Sequence, residues 1–140
     1  MLLSEFKQEM LKINNCINME VFHQGLHQQR LEIVGDKVII IARNNRVKVL
    51  SVVDKFDPVV ARSVDIALLS EFKRRYVRKV EEHFGVPILS FLKDYDPKLE
   101  MSVSVTFYSR PVEDLLPLMA VEKQPKTAGK DEGVDYAVEP

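Results

Sequence analysis

Cysteine occurs once in this 140-residue chain and tryptophan not at all. A lone thiol, Cys16, closes no internal bridge, so a disulfide scaffold of the secreted kind is excluded. Cys16 also sits inside an apolar-periodic stretch, away from a helix N-terminus that would favour its thiolate, and reads as packing. Only five glycines are present, none in a phosphate-cradling loop, and no G-x-S-x-G elbow occurs. The longest apolar run, Val38–Ala42, is far short of the ~20 residues that span a bilayer. Met1–Phe6 has neither a basic region nor a small-residue cleavage site, so the expectation is a cytoplasmic chain without a signal peptide. Charge of one sign is lacking too. The formal net charge is −1, which by itself selects no polyanionic partner.

What is present is enough for a core. Apolar residues make up 46% and charged residues 29%, the composition of an ordinary globular domain. Residues 2–22 read as a helix, with Leu3, Phe6, Met10, Ile13, Ile17 and Val21 at three- and four-residue steps. Asn14, Asn15 and Asn18 weaken its middle. His23-Gln24-Gly25 then predicts a stop, with Gly25 in the left-handed conformation. Two strands follow, 28–34 and 37–43, joined by Gly35-Asp36, a pair that favours a type II′ turn. The second strand is apolar on both faces, which predicts a central place in the sheet. Residues 44–56 fit either a strand or the opening of a helix.

Asp57-Pro58 is a clear helix start, because Asp caps well and proline at the first position loses no hydrogen bond. The helix runs to Phe84, with Leu68, Leu69, Phe72, Tyr76, Val80 and Phe84 on its apolar side, and Gly85 ends it. A strand over 86–93, a turn at 94–98 and a strand over 100–108 complete the plan. In the last, Met101, Val103, Val105 and Phe107 alternate with Ser102, Ser104, Thr106 and Tyr108.

The fold class is therefore α+β: two successive α-β-β units and a four-stranded, mainly antiparallel sheet with two long helices on one face. Residues 1–110 form the single domain, 111–121 a short amphipathic segment, and 122–140 a tail expected to be disordered. A sheet covered on one face leaves the other open. Ile39, Ile41, Leu89 and Phe91 are the candidates for an apolar patch there, and a homodimer is the simplest cover. The segment Val112–Val121 is the rival cover.

The candidate sites resolve mostly into structure. His23 and His27 have the spacing of zinc-binding helices, but Gly25 falls between them where the helix should end, so no metal is assigned. His83 beside Glu81 and Glu82 suits a helix C-terminus better than acid–base chemistry. Asp94 and Asp96 belong to a turn and supply too few oxygens for calcium. The strongest charge feature is Lys73-Arg74-Arg75-Tyr76-Val77-Arg78-Lys79, which suits a phosphate or an anionic lipid head. Glu71, Glu81 and Glu82 flank it at salt-bridge spacing, and the strands lack a base-stacking platform. A solvated face or a protein contact is therefore favoured over nucleic acid. No catalytic residue and no cofactor are assigned.

From about Ile13 to Phe107 the chain resembles the bacterial MpsC-like family, a proposed part of a sodium-translocating, membrane-potential-generating system. Phe72-Lys73-Arg74-Arg75, Val80-Glu81-Glu82-His83-Phe84-Gly85, Val86, Ser90-Phe91, Asp96-Pro97 and the alternation ending at Phe107 carry the resemblance. The first half departs from the family pattern: the G-K-G-P loop is matched only by His23-Gln24-Gly25-Leu26, and the L-T-x-x-E segment is missing from 46–53. The resemblance implies a non-enzymatic accessory protein, cytoplasmic or at the inner face of the membrane. Its setting would be a membrane cation or inorganic-carbon uptake system. The partner contact is expected at His23, Gln24, Gly25 and Leu26 or at Lys73, Arg74, Arg75 and Arg78. Binding of nucleic acid or an anionic membrane surface through 73–79 is the alternative.

Overall fold

The computed structural model describes residues 1–119. The element order is α1 (Leu3–Phe22), β1 (Gln28–Val34), β2 (Lys37–Arg43), α2 (Lys48–Phe56), α3 (Pro58–Phe84), β3 (Ser90–Asp96), β4 (Met101–Phe107) and α4 (Val112–Leu115), followed by a 3₁₀ turn at Leu116–Leu118. The four strands form one antiparallel sheet in the order β1-β2-β4-β3, so β2 is central, as its two apolar faces predict. No helix among the described residues is long and apolar enough to cross a membrane.

Both long helices pack on one face of the sheet. Phe6, Met10, Ile13 and Ile17 of α1 meet Phe72, Tyr76, Val80 and Phe84 of α3 over Val38 and Ile40 of β2. Phe72 stacks on Tyr76, and Tyr76 on Phe91 of β3 with ring centroids 4.4 Å apart. β4 turns Ser102, Ser104 and Thr106 toward the helices and its apolar set away from them. These small side chains leave room above the strand for the aromatic rings and for a buried lysine, Lys93.

Asp57 caps α3 through Oδ1, which accepts from Val59 N at 3.2 Å and Val60 N at 3.3 Å, and Gly85 ends the helix at φ 70°. In the Gly35-Asp36 turn only Gly35 has positive φ, which excludes type I′. The end of α1 differs from expectation. His23, not Gly25, takes the left-handed conformation, at φ 57°, because the helix already closes at Phe22. A side chain in that conformation crowds its own carbonyl, so His23→Gly is expected to stabilise the fold by about 0.5–1 kcal/mol. An unchanged or lower midpoint of thermal unfolding would show that the His23 side chain contributes more than its backbone costs.

The open alternative over 44–56 resolves as a loop and a helix, α2, whose only buried side chain is Leu50. Two further expectations are corrected. The third strand begins at Ser90 rather than Val86 and lies at the sheet edge. Pro87 has no N–H for a ladder, and pairing starts only where Leu89 N donates to Phe107 O. The described part of the 111–121 segment, residues 111–119, does not cover the open face. Val112, Leu115 and Met119 join the helix-side core beside Phe6 and Tyr108, and the Met1 amino group donates to Leu116 O. The tail expected over 122–140 lies outside the described residues.

Candidate ligand pocket

A cavity of about 680 Å³ opens where α2 and the first half of α3 diverge from the sheet. That is the size of ordinary small-molecule sites. Leu50, Ala61, Ile66 and Leu69 form its apolar wall, and Lys93 and Tyr95 of β3 face them.

The loop leaving β2 holds the wall in place through two residues. Asn44 is buried and fully engaged: its Nδ2 donates to Asn18 Oδ1 at 3.0 Å, and its Oδ1 accepts from Ser102 Oγ at 2.8 Å. Its carbonyl accepts from Tyr95 Oη at 2.8 Å. Arg46, with a side chain only 8% exposed, ties α2 to α3. Its Nε and Nη2 donate to the two oxygens of Asp54 at 2.9 and 2.6 Å, and its remaining donors engage Asp65. The hydrogen bonds it donates to Asp54 and then to Asp65 hold the guanidinium firmly charged. The same contact keeps the Asp54 carboxyl below its usual range. Both carboxylates thus share one guanidinium within the scaffold, and each keeps about a third of its side chain exposed.

Lys93 is different. It is 7% exposed, and no carboxylate or hydrogen-bond acceptor among the described residues pairs with its amine. Its Nζ lies 3.4 Å from the centroid of the Phe72 ring, whose π face gives a desolvated cation its main support. Burial pushes the Lys93 ammonium down to about 7. An amine so placed keeps an unused capacity to donate to an acceptor that enters the cavity.

The sites expected from sequence are scattered. His23 and His27 are both exposed, with a His27 ring nitrogen 2.7 Å from Asn45 Nδ2. His83 Nε2 lies 3.2 Å from Glu9 Oε2 on the helix pair. No group of His, Cys, Asp and Glu among the described residues is arranged to hold a metal. Burial, then the charge of Glu20, raises the Cys16 thiol.

The His23–Leu26 loop is anchored by the asparagines of α1. Asn18 Nδ2 donates to Gln24 O at 2.8 Å, and Asn15 Oδ1 accepts from Leu26 N at 2.8 Å. Gly25 packs near Asn15 and Met19. On the basic helix, Glu71 accepts from Arg74 at 2.6 Å and Arg75 at 2.7 Å, which brings its carboxyl down to about 2. Arg78 donates to Glu82 at 3.1 Å. Arg74, Arg75 and Arg78 of the run are thus each paired with a carboxylate on or beside the helix. Of the sheet-face candidates, Ile39 and Ile41 lie on the open face. Phe91 lies on the helix side against Tyr76, because its register partner is Thr106 on the helix-facing set of β4, and Leu89 falls just outside the strand.

Sequence reading missed Lys93, Arg46, Asp54, Asp65 and Tyr95. The available signal was the alternation Phe91-x-Lys93-x-Tyr95, which puts the lysine on the same strand face as two aromatics. No family model, curated protein or solved structure matches the chain.

Proposed function

We propose that the chain is a non-enzymatic ligand-binding module whose cavity takes a small organic anion, with its acidic group against Lys93 and its apolar body against α2 and α3. The observation that carries this is the amine of the buried Lys93, which borders the cavity and makes no hydrogen bond to the described residues. Charge around it agrees. Arg46 occupies Asp54 and Asp65, while Arg62 and Lys98 also line the cavity. The cationic side chains Arg46, Arg62, Lys93 and Lys98 line the cavity alongside the carboxylates Asp54, Asp65 and Asp94, the first two held by Arg46. The contact of an acceptor group with a desolvated ammonium is of the strong, charge-assisted kind. In the cell this module serves as a cytoplasmic accessory to a membrane cation or inorganic-carbon uptake system, the setting its MpsC-like resemblance implies. The matched charges of Glu71, Arg74, Arg75, Arg78 and Glu82 weigh against the basic helix as a nucleic-acid or membrane site.

Octanoate is a suitable probe because it joins a carboxylate to an apolar chain, and octanol is its uncharged control. Titration of the full chain, followed by amide correlation spectra, should give saturable shifts at Ala61, Leu69, Lys93 and Tyr95 with octanoate. Octanol should bind at least about tenfold more weakly, the equivalent of one charge-assisted hydrogen bond. Equal responses to the two probes, or shifts confined to other surfaces, would sink the reading.

A further inference from the structure

The sheet face away from the helices has an ordered charge pattern. Residues directly opposite across antiparallel strands share a face, so the register defines rows. One row reads Arg30–Ile41–Val103–Asp94 and the next Glu32–Ile39–Val105–Leu92. On either side lie Gln28–Arg43–Met101–Asp96 and Val34–Lys37–Phe107–Ser90. Each central position is apolar except Arg43 and Lys37. Val103 is 43% and Leu92 55% exposed, and no described segment covers them. Arg30 stands at the β1 edge and Asp94 at the β3 edge of the same row.

We propose that two copies of this chain pack these faces together about a two-fold axis that runs parallel to the strands, between β2 and β4. Such an axis lays β1 over β3 of the second copy and keeps each row opposite itself. Arg30 then faces the partner's Asp94, twice, and Ile41 faces the partner's Val103. Lys37 meets the partner's Phe107, a ring it already approaches to 5.8 Å within its own chain. The other in-plane two-fold, perpendicular to the strands and passing between the two inner rows, sets Arg30 against the partner's Glu32, a carboxylate it already engages within its own chain. It also stacks Arg43 on the partner's Lys37 twice, which like charge opposes.

The geometry tolerates the usual twist of packed sheets. Edge strands sit about 7 Å from the axis at a strand spacing of about 4.8 Å. A rotation of about 30° between the sheets therefore displaces the edges by about 4 Å, within the reach of an arginine. The contact of Arg30 with Glu32, 2.7 Å through Nε, is an exposed pair worth little by itself and leaves the rest of the guanidinium fork to the partner. Each face spans about 19 by 23 Å, in the range of weak, transient interfaces rather than standard ones, so the dimer should dissociate in the high micromolar range. The proposal does not depend on what the cavity binds.

Sedimentation equilibrium of the full chain tests it. The mass of the unaltered protein should rise from 16.1 kDa toward twice that across the high micromolar range. Arg30→Glu and Asp94→Arg should each weaken the dimer at least about tenfold, since each places like charges together twice. The double substitution exchanges the two charges and should restore the dimer to within about threefold. Val103→Lys, at the centre of the face, should leave a monomer. Circular dichroism should show native helix in all four, because every altered side chain is exposed. A monomer at all concentrations overturns the proposal. So does a dimer indifferent to the single reversals, as one built on the exposed Val52, Phe56 and Val59 of α2 and α3 would be. A double variant whose losses add would overturn the orientation of the axis and with it the proposal.

Discussion

Lys93→Met should make the protein more stable at pH 7 while abolishing its response to octanoate. Methionine keeps the length of the side chain and removes the amine whose burial is unfavourable. Replacing buried ion pairs with well-packed apolar groups is often neutral or stabilises by about 1–4 kcal/mol, and here no carboxylate is left stranded by the change. The gain depends on pH in a specific direction. Lys93 titrates near 7 in the folded protein, against an ordinary value of 10.5. Between these limits the unfolded chain keeps a proton that the native state has released, so this residue makes wild-type stability rise with pH. Below pH 7 both states are protonated and its contribution is flat. The advantage of Lys93→Met should therefore be largest at or below pH 7 and shrink toward pH 10. Denaturant unfolding at pH 6, 7.5 and 9 measures it. A destabilised variant, or an advantage that grows with pH, contradicts the assignment of Lys93 as a desolvated and unpartnered amine.

Arg46→Met should act in the opposite sense, lowering stability by about 2–3 kcal/mol. Removing one member of a buried ion pair usually costs about 3–5 kcal/mol because its partner is stranded. Here the side chains of Asp54 and Asp65 are 37% and 32% exposed, so water takes up part of that loss. The damage should be local. α2 has one buried side chain and is held to α3 by this arginine, so amide exchange should quicken over Lys48–Phe56 and hardly change in β2 or β4. Converting both aspartates to asparagine in the Arg46→Met background should recover part of the loss, because the stranded charges disappear. Uniform loosening of the whole fold, or a loss below about 0.5 kcal/mol, would show that Arg46 is not what closes the cavity wall.

The strands and the long helices were legible because their signals are local. Asp57-Pro58, Gly85 and the alternations in β1 and β4 each act within a few residues, and the structure keeps them. The direction in which β4 faces was not legible. Alternation says that its two faces differ, but not that the Ser102–Ser104–Thr106 face goes under the helices; the volume of Phe72, Tyr76 and Lys93 decides that, and those residues are distant in sequence. His23 shows a similar limit. A glycine two residues on looked like the natural stop, yet helix geometry ended α1 earlier and placed a histidine there.

The asparagines of α1 were read as weaknesses in a helix. Their cost is offset by contacts with the His23–Leu26 loop, with Gln29 and with Asn44, none of which helix propensity records. The cavity was hidden for the same reason. Arg46, Asp54 and Asp65 come together only because α2 folds back against α3, and Lys93 looked like the last residue of a strand over 86–93.

The central claim is that the Lys93 amine waits for an anionic ligand, and its own titration tests this most directly. In protein carrying ¹³C-labelled lysine, the Lys93 Cε resonance can be followed with pH, with and without saturating octanoate. Without probe the midpoint should lie near 7. With octanoate it should rise by at least about one pH unit, since a carboxylate against the amine favours the ammonium form. Affinity for the probe should then fall by up to about tenfold per pH unit between the two midpoints. An identical midpoint in the presence of bound octanoate would contradict the account, because the ligand would then be held somewhere other than against Lys93.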